Sequence, residues 1–501
     1  MQQKTIMLGR IVGPVAFVLI LALFRPSNLD VKGTAVLAST AWIAIWWITE
    51  AIPMAATALL PMILFPMTGA VSLQETTTQY GHRYIFLYVG GFLIAIGIEK
   101  WGLHRRMALN IIRCLGTDVR RIILGFMVAT GFLSMWISNT ATTVLMLPIG
   151  MAIVSQRKDH PETVVNENEV FGKALMLAIA YSATIGGMAT LIGTPPNLVL
   201  AGVIEELYQT EISFAKWMMF ALPISVLLLI VCWIYLTRVV FIFRQADFPG
   251  GRKEIAQQIS ELGKLSFEEK CLLAVFLCAA VSWVGRSFVQ QQLGILLQLD
   301  DTIIAMVFAL SLFVIPVRTA GHQRQEEATL ANTLLTWEDT QKLPWGIVLL
   351  FGGGMALAEG FKTSGLAEWI GNQASLLHSL PLFVLLLILV AAVNFLTEVT
   401  SNLATTSMLL PVLASMATAM HVHPFLFMIG ATLAASCAFM LPVATPPNAV
   451  VFGSGYLRIP DMVRCGLRLN LFSIVLVTMF VYFVLPIVWQ IDWNAFPEAW
   501  R

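Results

Sequence analysis

Residues 138–143 read Ser-Asn-Thr-Ala-Thr-Thr and residues 401–406 read Ser-Asn-Leu-Ala-Thr-Thr, so one polar phrase occurs twice at a spacing of 263 residues. Four residues before its serine, each copy has a hydroxyl side chain, and the same spacing relates several glycines farther upstream. A second phrase, Thr-Pro-Pro-Asn, stands at 194–197 and again at 445–448, at a spacing of 251 residues. The chain is therefore predicted to consist of two halves built on one plan.

The composition indicates that these halves lie in a membrane. Hydrophobic residues make up 58% of the chain and charged residues only 12%, which is typical of a polytopic, all-α membrane protein surrounded by a lipid bilayer. The net charge is +1, and no cluster of basic and aromatic residues predicts a nucleic-acid partner. Neither HExxH nor GxSxG occurs, and no cluster of acids and histidines is expected at membrane depth, so we do not predict an enzyme.

Eleven apolar stretches are predicted to be transmembrane helices. They are roughly 11–24, 34–49, 53–70, 84–98, 172–204, 217–242, 270–290, 302–317, 344–361, 425–453 and 466–489. Two more stretches, 121–154 and 381–420, are each interrupted by a Ser-Asn phrase. Only 11 residues follow the first phrase before the next charged link, where a crossing helix needs about 20. Both stretches are therefore predicted to be re-entrant helical hairpins with the polar phrase at the tip.

The distribution of lysine and arginine predicts the orientation. Basic residues concentrate in the links on both sides of the first hairpin and in the link after residue 242, so these links are expected in the cytoplasm. With eleven spans, the N-terminus is then inside and the C-terminus outside, and the two hairpins enter from opposite sides. Inverted repeats of this kind indicate a secondary transporter with its site near the middle of the membrane.

The polar phrases have the chemistry of helix starts. Ser, Thr and Asn are preferred at the N-cap, where Thr194 is the predicted cap of its phrase, and Pro is favoured in the first turn. The stretches 172–204 and 425–453 are thus predicted to be broken into half-helices, and each Ser-Asn phrase begins a returning helix. Four positive helix ends near mid-depth would suit an anion. Carbonyls near Gly193 and Ala444, with the hydroxyls of Ser134 and Thr397 and the Asn side chains of the phrases, would suit Na⁺.

Each feature also has a simpler interpretation. A lone Ser-Asn-Thr is more often a hydrogen-bonded link between helices, and a lone Pro-Pro is usually a kink; their duplication favours a site. Glu398 is either a functional group at membrane depth or a brace for the second hairpin tip. Residues 100–116 are predicted to form an interfacial helix on the cytoplasmic side. Residues 245–266 are polar and are interpreted as a plain cytoplasmic linker.

These motifs resemble one known family. Residues 46–53 read Trp-Trp-Ile-Thr-Glu-Ala-Ile-Pro and residues 351–354 read Phe-Gly-Gly-Gly. Together with the doubled phrases, they are similar to the divalent anion:sodium symporter family. The resemblance implies eleven spans with two re-entrant hairpins, a homodimer formed through a scaffold, and a transport domain that moves like an elevator. The scaffold would comprise 1–116 and 266–376, and the transport domain 117–265 and 377–501.

The resemblance also implies the ligands. One Na⁺ site would use Ser134, Ser138, Asn139 and the Gly193 carbonyl, and its twin Thr397, Thr400, Asn402 and the Ala444 carbonyl. The substrate would meet Asn139, Thr140 and Asn402. At the same place we expect the residues that start the half-helices, namely Thr194, Pro195, Thr445 and Pro446. Leu403 is expected there too; the second phrase in this family is often Ser-Asn-Thr, and Leu403 stands where that threonine would be.

The resulting expectation is Na⁺-coupled import of C4 dicarboxylates such as succinate, malate and fumarate across a bacterial inner membrane. Within the family, the alternatives are a sodium-independent dicarboxylate or tricarboxylate antiporter and a sulfate transporter. A passive anion channel is a further alternative, but it would need no paired cation ligands.

Overall fold

The computed structural model describes residues 2–26, 28–116, 118–155, 167–243, 249–295, 298–318, 333–373, 380–497 and 500. Over these residues the secondary structure is helical with connecting turns, and an isolated antiparallel bridge joins Pro316 and Thr333. The predicted all-α class is therefore confirmed.

The helices are numbered in chain order. Those of the first half are α1 (Gln2–Leu23), α2 (Val31–Thr49), α3 (Met54–Thr57), α4 (Leu60–Thr68), α5 (Leu73–Thr78), α6 (Arg83–Lys100), α7 (Leu103–Leu115), α8 (Val119–Ser134), α9 (Asn139–Ser155), α10 (Glu167–Gly187), α11 (Pro195–Tyr208), α12 (Phe214–Ile234) and α13 (Pro249–Glu261). Those of the second half are α14 (Phe267–Leu293), α15 (Asp301–Ser311), α16 (Trp345–Thr363), α17 (Leu366–Gln373), α18 (Leu382–Thr397), α19 (Asn402–Ala419), α20 (Phe425–Ser436), α21 (Pro446–Phe452), α22 (Ile459–Met479) and α23 (Leu485–Trp489). Short π-helical turns, Tyr235–Val240 and Phe480–Val484, follow α12 and α22.

Eight helical segments in the described part of the chain are long and apolar enough to cross a membrane. They are Thr5–Leu23, Val31–Thr49, Leu73–Lys100, Asn168–Gly187, Phe214–Val240, Phe267–Gln290, Asn402–Ala419 and Ile459–Trp489. One of them, Asn402–Ala419, is the returning arm of the second predicted hairpin. Its 18 residues are long enough either to cross the membrane or to return within it. The protein is thus a multi-pass membrane protein, while the count of eleven spans stays a prediction.

Three predicted stretches differ from the observed helices. The stretch 53–70 consists of two short helices, α3 and α4, because Pro61 opens a new helix. The stretch 302–317 is helical only to Ser311 and continues in turns. The interpretation of residues 245–266 as a plain linker was wrong for the residues that the structure describes. Helix α13 lies there, packs on α7 and α9 and buries Ile255. Its apolar positions were too few to give a helical signal.

The two hairpins and the two broken helices form the centre of the fold. Helix α8 packs on α9 and α10, and α18 packs on α19 and α20 in the same way. The second piece of each broken helix reaches into the other half: α11 packs on α19, and α21 packs on α9. Each contact made by a helix of the first half is thus matched by a contact of the corresponding helix of the second half. This is the pattern expected of a structural repeat.

Small residues allow the closest approach between these helices. A Cβ atom added at Gly186 would lie 2.1 Å from the Gly131 carbonyl oxygen, so the backbones of α10 and α8 touch. In the surrounding helices, a Cβ at Gly90 of α6 would lie 2.8 Å from Ala305 of α15. Glycine is required at these crossings because any side chain would force the helices apart.

The spacing of 263 residues also relates the helices that precede the two hairpins. Helix α7 buries Ala108, Leu109 and Ile112 on one side, as expected of an amphipathic helix in the predicted interval 100–116. Helix α17 begins 263 residues later, and the glycine before each helix, Gly102 or Gly365, has φ of 70°. Both halves thus use a glycine to turn the chain in the left-handed conformation that other residues avoid.

Candidate functional site

The tip of the first hairpin is built around a buried hydroxyl. Helix α9 begins at Asn139, and the Ser138 side chain caps it by accepting the Ala141 N–H at 3.2 Å. The fully buried Ser134 hydroxyl lies within hydrogen-bonding distance of the Asn139 Oδ1 and, at 2.6 Å, of the Ala183 carbonyl of α10. One hydroxyl proton cannot serve both acceptors at once, so this cluster has more acceptors than donors.

The tip of the second hairpin repeats this arrangement. The Thr397 hydroxyl lies 2.6 Å from the Asn402 Oδ1 and 2.9 Å from the Ala435 carbonyl of α20. Thr397 is fully buried, like Ser134. Thr400 donates to or accepts from the Thr405 hydroxyl at 2.7 Å, which keeps it beside the start of α19. Each tip therefore contains one hydroxyl between two acceptors.

The first helix break lies against the first tip. A Cβ atom at Gly193 would lie 2.5 Å from the Gly187 carbonyl oxygen and 3.0 Å from the Ser134 carbonyl oxygen. A Cβ at Gly187 would in turn lie 2.4 Å from the Asn139 Oδ1. The predicted ligands Ser134, Asn139 and Gly193 are thus brought together. The structure gives no such link for the Ser138 hydroxyl, which is engaged in capping.

Thr190, rather than the side chain of Thr194, ties this break to the hairpin tip. Thr194 is the N-cap residue of α11, as predicted, and has an extended conformation, but its side chain makes no capping hydrogen bond. The Thr190 hydroxyl instead donates to the Met135 carbonyl at 2.5 Å and accepts the Gly193 N–H at 3.1 Å. The sequence did not predict this link, because Thr190 contacts a residue 55 positions away, which local capping rules do not consider.

The second break is organised by an acidic side chain. The carboxylate of Glu398, which is 3% exposed, accepts the N–H groups of Phe439, Met440 and Leu441 at 2.8, 2.9 and 3.0 Å. It also accepts the Asn470 side-chain amide of α22 at 2.7 Å. Glu398 therefore braces the hairpin tip against the break, the second of the two interpretations that the sequence left open.

The start of α21 follows the predicted pattern. Thr445 caps it by accepting the Asn448 N–H at 3.3 Å, and the Ala444 N–H donates to the Leu441 carbonyl at 3.2 Å. The described hydrogen bonds that tie this break to the hairpin are made by Asn394, Thr397 and Glu398.

The two breaks also meet each other. The Cys437 thiol lies 3.7 Å from the Met188 sulfur, and the rings of Tyr181 and Phe439 lie 5.2 Å apart. Helix α21 packs on α10, and α11 packs on α20. The two helix breaks therefore contact each other, and each has one hairpin tip beside it.

The predicted substrate residues differ in exposure. Asn139, Asn402 and Pro195 are half-buried, and Thr140 and Pro446 are exposed. Thr194, Thr445 and Leu403 are buried, the last at 6% exposure within the apolar core. Asn139, Thr140 and Asn402 could thus reach a bound molecule in the described conformation.

Three buried asparagines of this region, namely Asn197, Asn448 and Asn394, were not among the predicted site residues. Asn197 and Asn448 end the two Thr-Pro-Pro-Asn phrases, and Asn394 lies in the apolar run of α18, where its side-chain amide donates to the Cys437 carbonyl at 2.7 Å. A polar amide in an apolar membrane segment is the signal that could have identified all three.

The donor set fits a monovalent cation better than a transition metal. In the parts of the chain that the structure describes, no three His, Cys, Asp or Glu side chains come together to hold a metal ion. The oxygens at the two tips are hydroxyl, amide and carbonyl oxygens, which are hard, neutral ligands of the kind that suits Na⁺.

Comparison with solved structures supports the architecture. The chain is similar to MtrF of Neisseria gonorrhoeae, from a class of antimetabolite efflux pumps, with a TM-score of 0.55 and 13% identity over 96% of this chain and 93% of that one. It is also similar to the YdaH transporter of Alcanivorax borkumensis, with a TM-score of 0.54 and 13% identity over 82% and 89% of the two chains. At this identity, only the fold is shared.

Relatives that are similar in sequence identify the family. A sodium-dependent dicarboxylate transporter SdcS of Staphylococcus saprophyticus is 47% identical over 97% of this chain and 92% of its own length. The SdcS of a Staphylococcus aureus strain is 45% identical over 97% and 93%. The model of the sodium:sulfate symporter transmembrane region matches residues 4–490. The chain therefore belongs to the divalent anion:sodium symporter family of membrane transporters, which this model describes, and is not an enzyme.

Proposed function

We propose that this protein imports C4 dicarboxylates such as succinate, malate and fumarate together with Na⁺. One observation carries the proposal: each hairpin tip holds a buried hydroxyl between two acceptors, Ser134 in one half and Thr397 in the other. Two such acceptor-rich clusters related by the repeat are what a pair of cation sites needs, whereas a passive anion channel has no use for them. The SdcS relatives, named for sodium-dependent dicarboxylate transport, support the same substrate and ion.

The cation ligands in this proposal follow the two clusters. The first site uses Ser134, Ser138, Asn139 and the Gly193 carbonyl, and the second uses Thr397, Thr400, Asn402 and the Ala444 carbonyl. Bound Na⁺ would supply positive charge that offsets the dianion. Since affinity coupling is reciprocal, Na⁺ should tighten dicarboxylate binding by the same factor by which dicarboxylate tightens Na⁺ binding.

The substrate site lies between the same elements. Asn139, Thr140 and Asn402 would donate hydrogen bonds to the carboxylates. The N-termini of α9, α11, α19 and α21, which include Pro195 and Pro446, would each contribute about half a positive charge. These partial charges do not neutralise a dianion, so its movement through a low-dielectric region requires the accompanying cations.

The proposed arrangement in the membrane has eleven spans, two re-entrant hairpins and inverted repeats, with the N-terminus in the cytoplasm and the C-terminus outside. The scaffold comprises 1–116, with α7 as the interfacial helix, and 266–376, and it forms a homodimer. Residues 117–265 and 377–501 form the transport domain, which moves like an elevator in a bacterial inner membrane. The exchange-symmetric contacts of α8–α11 and α18–α21 support the repeat.

Uptake of labelled succinate into proteoliposomes tests the function. We expect uptake with an inward Na⁺ gradient and little when K⁺ replaces Na⁺. Uptake in K⁺ that depends on internal malate would instead indicate a sodium-independent antiporter. Competition by sulfate but not by malate or fumarate would indicate a sulfate transporter, the alternative that the family model's description favours.

Two variants connect this assay to the site. Asn139→Ala and Asn402→Ala should each abolish Na⁺-driven uptake, because each removes the amide oxygen beside the buried hydroxyl. Asn110→Ala on α7 is the matched control, since its amide bonds only to the Arg106 carbonyl within one helix. Uptake near the wild-type level in either site variant would contradict the assignment.

A further inference from the structure

Two buried amide oxygens in the helix breaks receive no hydrogen bond from any residue that the structure describes. They are the Oδ1 atoms of Asn197 and Asn448, both of which are completely buried. They occupy equivalent places, each being the third residue of the second half-helix, in α11 and α21. An unsatisfied buried acceptor is costly, and the same one in both halves calls for a common explanation.

The amide nitrogens of the same side chains are fully engaged. The Asn197 Nδ2 donates to the Thr190 carbonyl at 2.8 Å and to the Met188 carbonyl at 3.2 Å, with the Gly187 carbonyl at 3.5 Å. The Asn448 Nδ2 donates to the Leu441 carbonyl at 3.0 Å, with the Ala438 carbonyl at 3.4 Å. Rotating either amide by 180° would place its oxygen against carbonyl oxygens, so the hydrogen bonds determine which atom is left free.

These carbonyls belong to the walls of the proposed cation clusters. Gly187, whose carbonyl faces Asn197, lies directly beside the Asn139 Oδ1 and Gly193. Leu441, whose carbonyl faces Asn448, donates its N–H to Glu398, the neighbour of Thr397. Each asparagine thus holds the backbone on which one cluster depends. A purely structural role would explain the hydrogen bonds of the two Nδ2 atoms. It would give no reason for an Oδ1 atom without a donor in both halves.

We propose that Asn197 and Asn448 are positioning residues for the two cation sites, one in each half. The Nδ2 atoms hold the carbonyls of the breaks in the arrangement that the cation requires, and the Oδ1 atoms add a buried acceptor for the cation or its hydrating water. This proposal rests on the proposed Na⁺ coupling and extends it to residues outside the hairpin tips.

The test measures cation binding without transport. Purified protein in detergent is melted at increasing Na⁺, with choline holding the ionic strength constant and with no dicarboxylate present. Asn197→Leu and Asn448→Leu keep the side-chain volume and remove both polar atoms. Thr432→Val, which removes a buried hydroxyl in the middle of α20, and Asn110→Leu are the controls.

We expect Na⁺ to raise the melting temperature of the wild type. Each asparagine variant should need about 10- to 100-fold more Na⁺ for half of its stabilisation, the usual effect of losing a group that orients metal ligands. Both controls should keep the wild-type Na⁺ midpoint. In transport assays, the succinate concentration for half-maximal uptake should return toward the wild-type value when Na⁺ is made saturating.

The outcomes separate this proposal from the proposed function. A wild type that melts at the same temperature in Na⁺ and choline would overturn the Na⁺ coupling and this assignment with it. If the wild type responds but Asn197→Leu and Asn448→Leu keep its Na⁺ midpoint while melting at lower temperature, the asparagines are structural braces and this assignment alone is wrong. Should the leucine variants not fold, Asn197→Ser and Asn448→Ser are expected to shift the midpoint in the same direction, and an unchanged midpoint would again contradict it.

Discussion

At the scale of single residues, Thr140 and Leu403 occupy the same position of the two polar phrases but have different surroundings. The Thr140 side chain is exposed beside Asn139, whereas Leu403 is 6% exposed within the apolar core. The two halves would therefore contact a symmetric dianion differently, because Thr140 offers a hydroxyl donor at this position and Leu403 does not.

Thr140→Val should reduce succinate uptake strongly and leave the melting temperature unchanged, because it removes an exposed hydroxyl and no packing. Leu403→Thr should lower the free energy of unfolding by about 1–3 kcal/mol, because it shortens a core side chain and buries a hydroxyl. Paired uptake and melting measurements on both variants check this. If Thr140→Val transports normally while Leu403→Thr changes the preference among dicarboxylates without loss of stability, the two assignments are reversed.

Glu398 offers a second prediction at this scale. Its carboxylate accepts four hydrogen bonds, and Glu398→Gln would turn one oxygen into an NH₂ group that faces an N–H donor. We expect a loss of about 1–3 kcal/mol in stability, the usual penalty for leaving a buried donor unsatisfied. Thermal melting measures it, with Glu99→Gln at an exposed position as the control. A Glu398→Gln protein as stable as the wild type would show that the brace is unimportant.

At the scale of elements, the decisive contact is the one between α8 and α10. Gly186→Ala would place a methyl group 2.1 Å from the Gly131 carbonyl oxygen, so the two helices must separate. Overpacking of this kind costs about 1–3 kcal/mol, or more where backbone must move. Gly285→Ala in α14 is the control, since no atom lies within 4 Å of the added methyl, and alanine is favoured over glycine in helices.

Melting temperature and uptake of the two glycine variants should therefore diverge. Gly186→Ala should lose both stability and transport, because α8 carries Ser134 at its end and α10 carries the Ala183 carbonyl. Gly285→Ala should lose neither. Equal stability of both proteins would mean that α8 and α10 can separate without cost.

At the scale of the whole molecule, ion pairs connect the segment 205–211 to the helices around it. Arg83 of α6 contacts Glu205 at 2.7 Å, Lys362 of α16 contacts Glu206 at 3.7 Å, and Arg286 of α14 pairs with Glu211. In the proposed division, all three basic residues belong to the scaffold and all three acids to the transport domain. Movement of one against the other has to break these pairs.

A covalent link across this boundary should stop transport. In a background without the six native cysteines, Arg83→Cys/Glu205→Cys treated with a short bismaleimide should lose succinate uptake. Lys100→Cys/Asp339→Cys is the matched control, because its native ion pair, at 2.7 Å, joins two parts of the proposed scaffold. Full uptake by the protein linked between positions 83 and 205 would exclude a sliding movement of α11 past α6.

Much of this architecture could be predicted from the sequence because it depends on local chemistry. Prolines and hydroxyl residues start helices wherever they stand, so the beginnings of α9, α11, α19 and α21 at Asn139, Pro195, Asn402 and Pro446 were predictable from the two doubled phrases. Apolar runs of sufficient length are likewise a property of the local chain, and the duplication itself indicated two related halves.

Only the tertiary structure decided what these local elements contact. The sequence left the role of Glu398 open, did not predict the link made by Thr190, and did not identify the free oxygens of Asn197 and Asn448. Each of these depends on partners from another helix or the opposite side of a break, such as Glu398 with Phe439 at 41 residues' separation and Thr190 with Met135 at 55. Helix starts follow from a few neighbouring residues, whereas satisfaction of a buried polar atom depends on whichever distant segment packs against it.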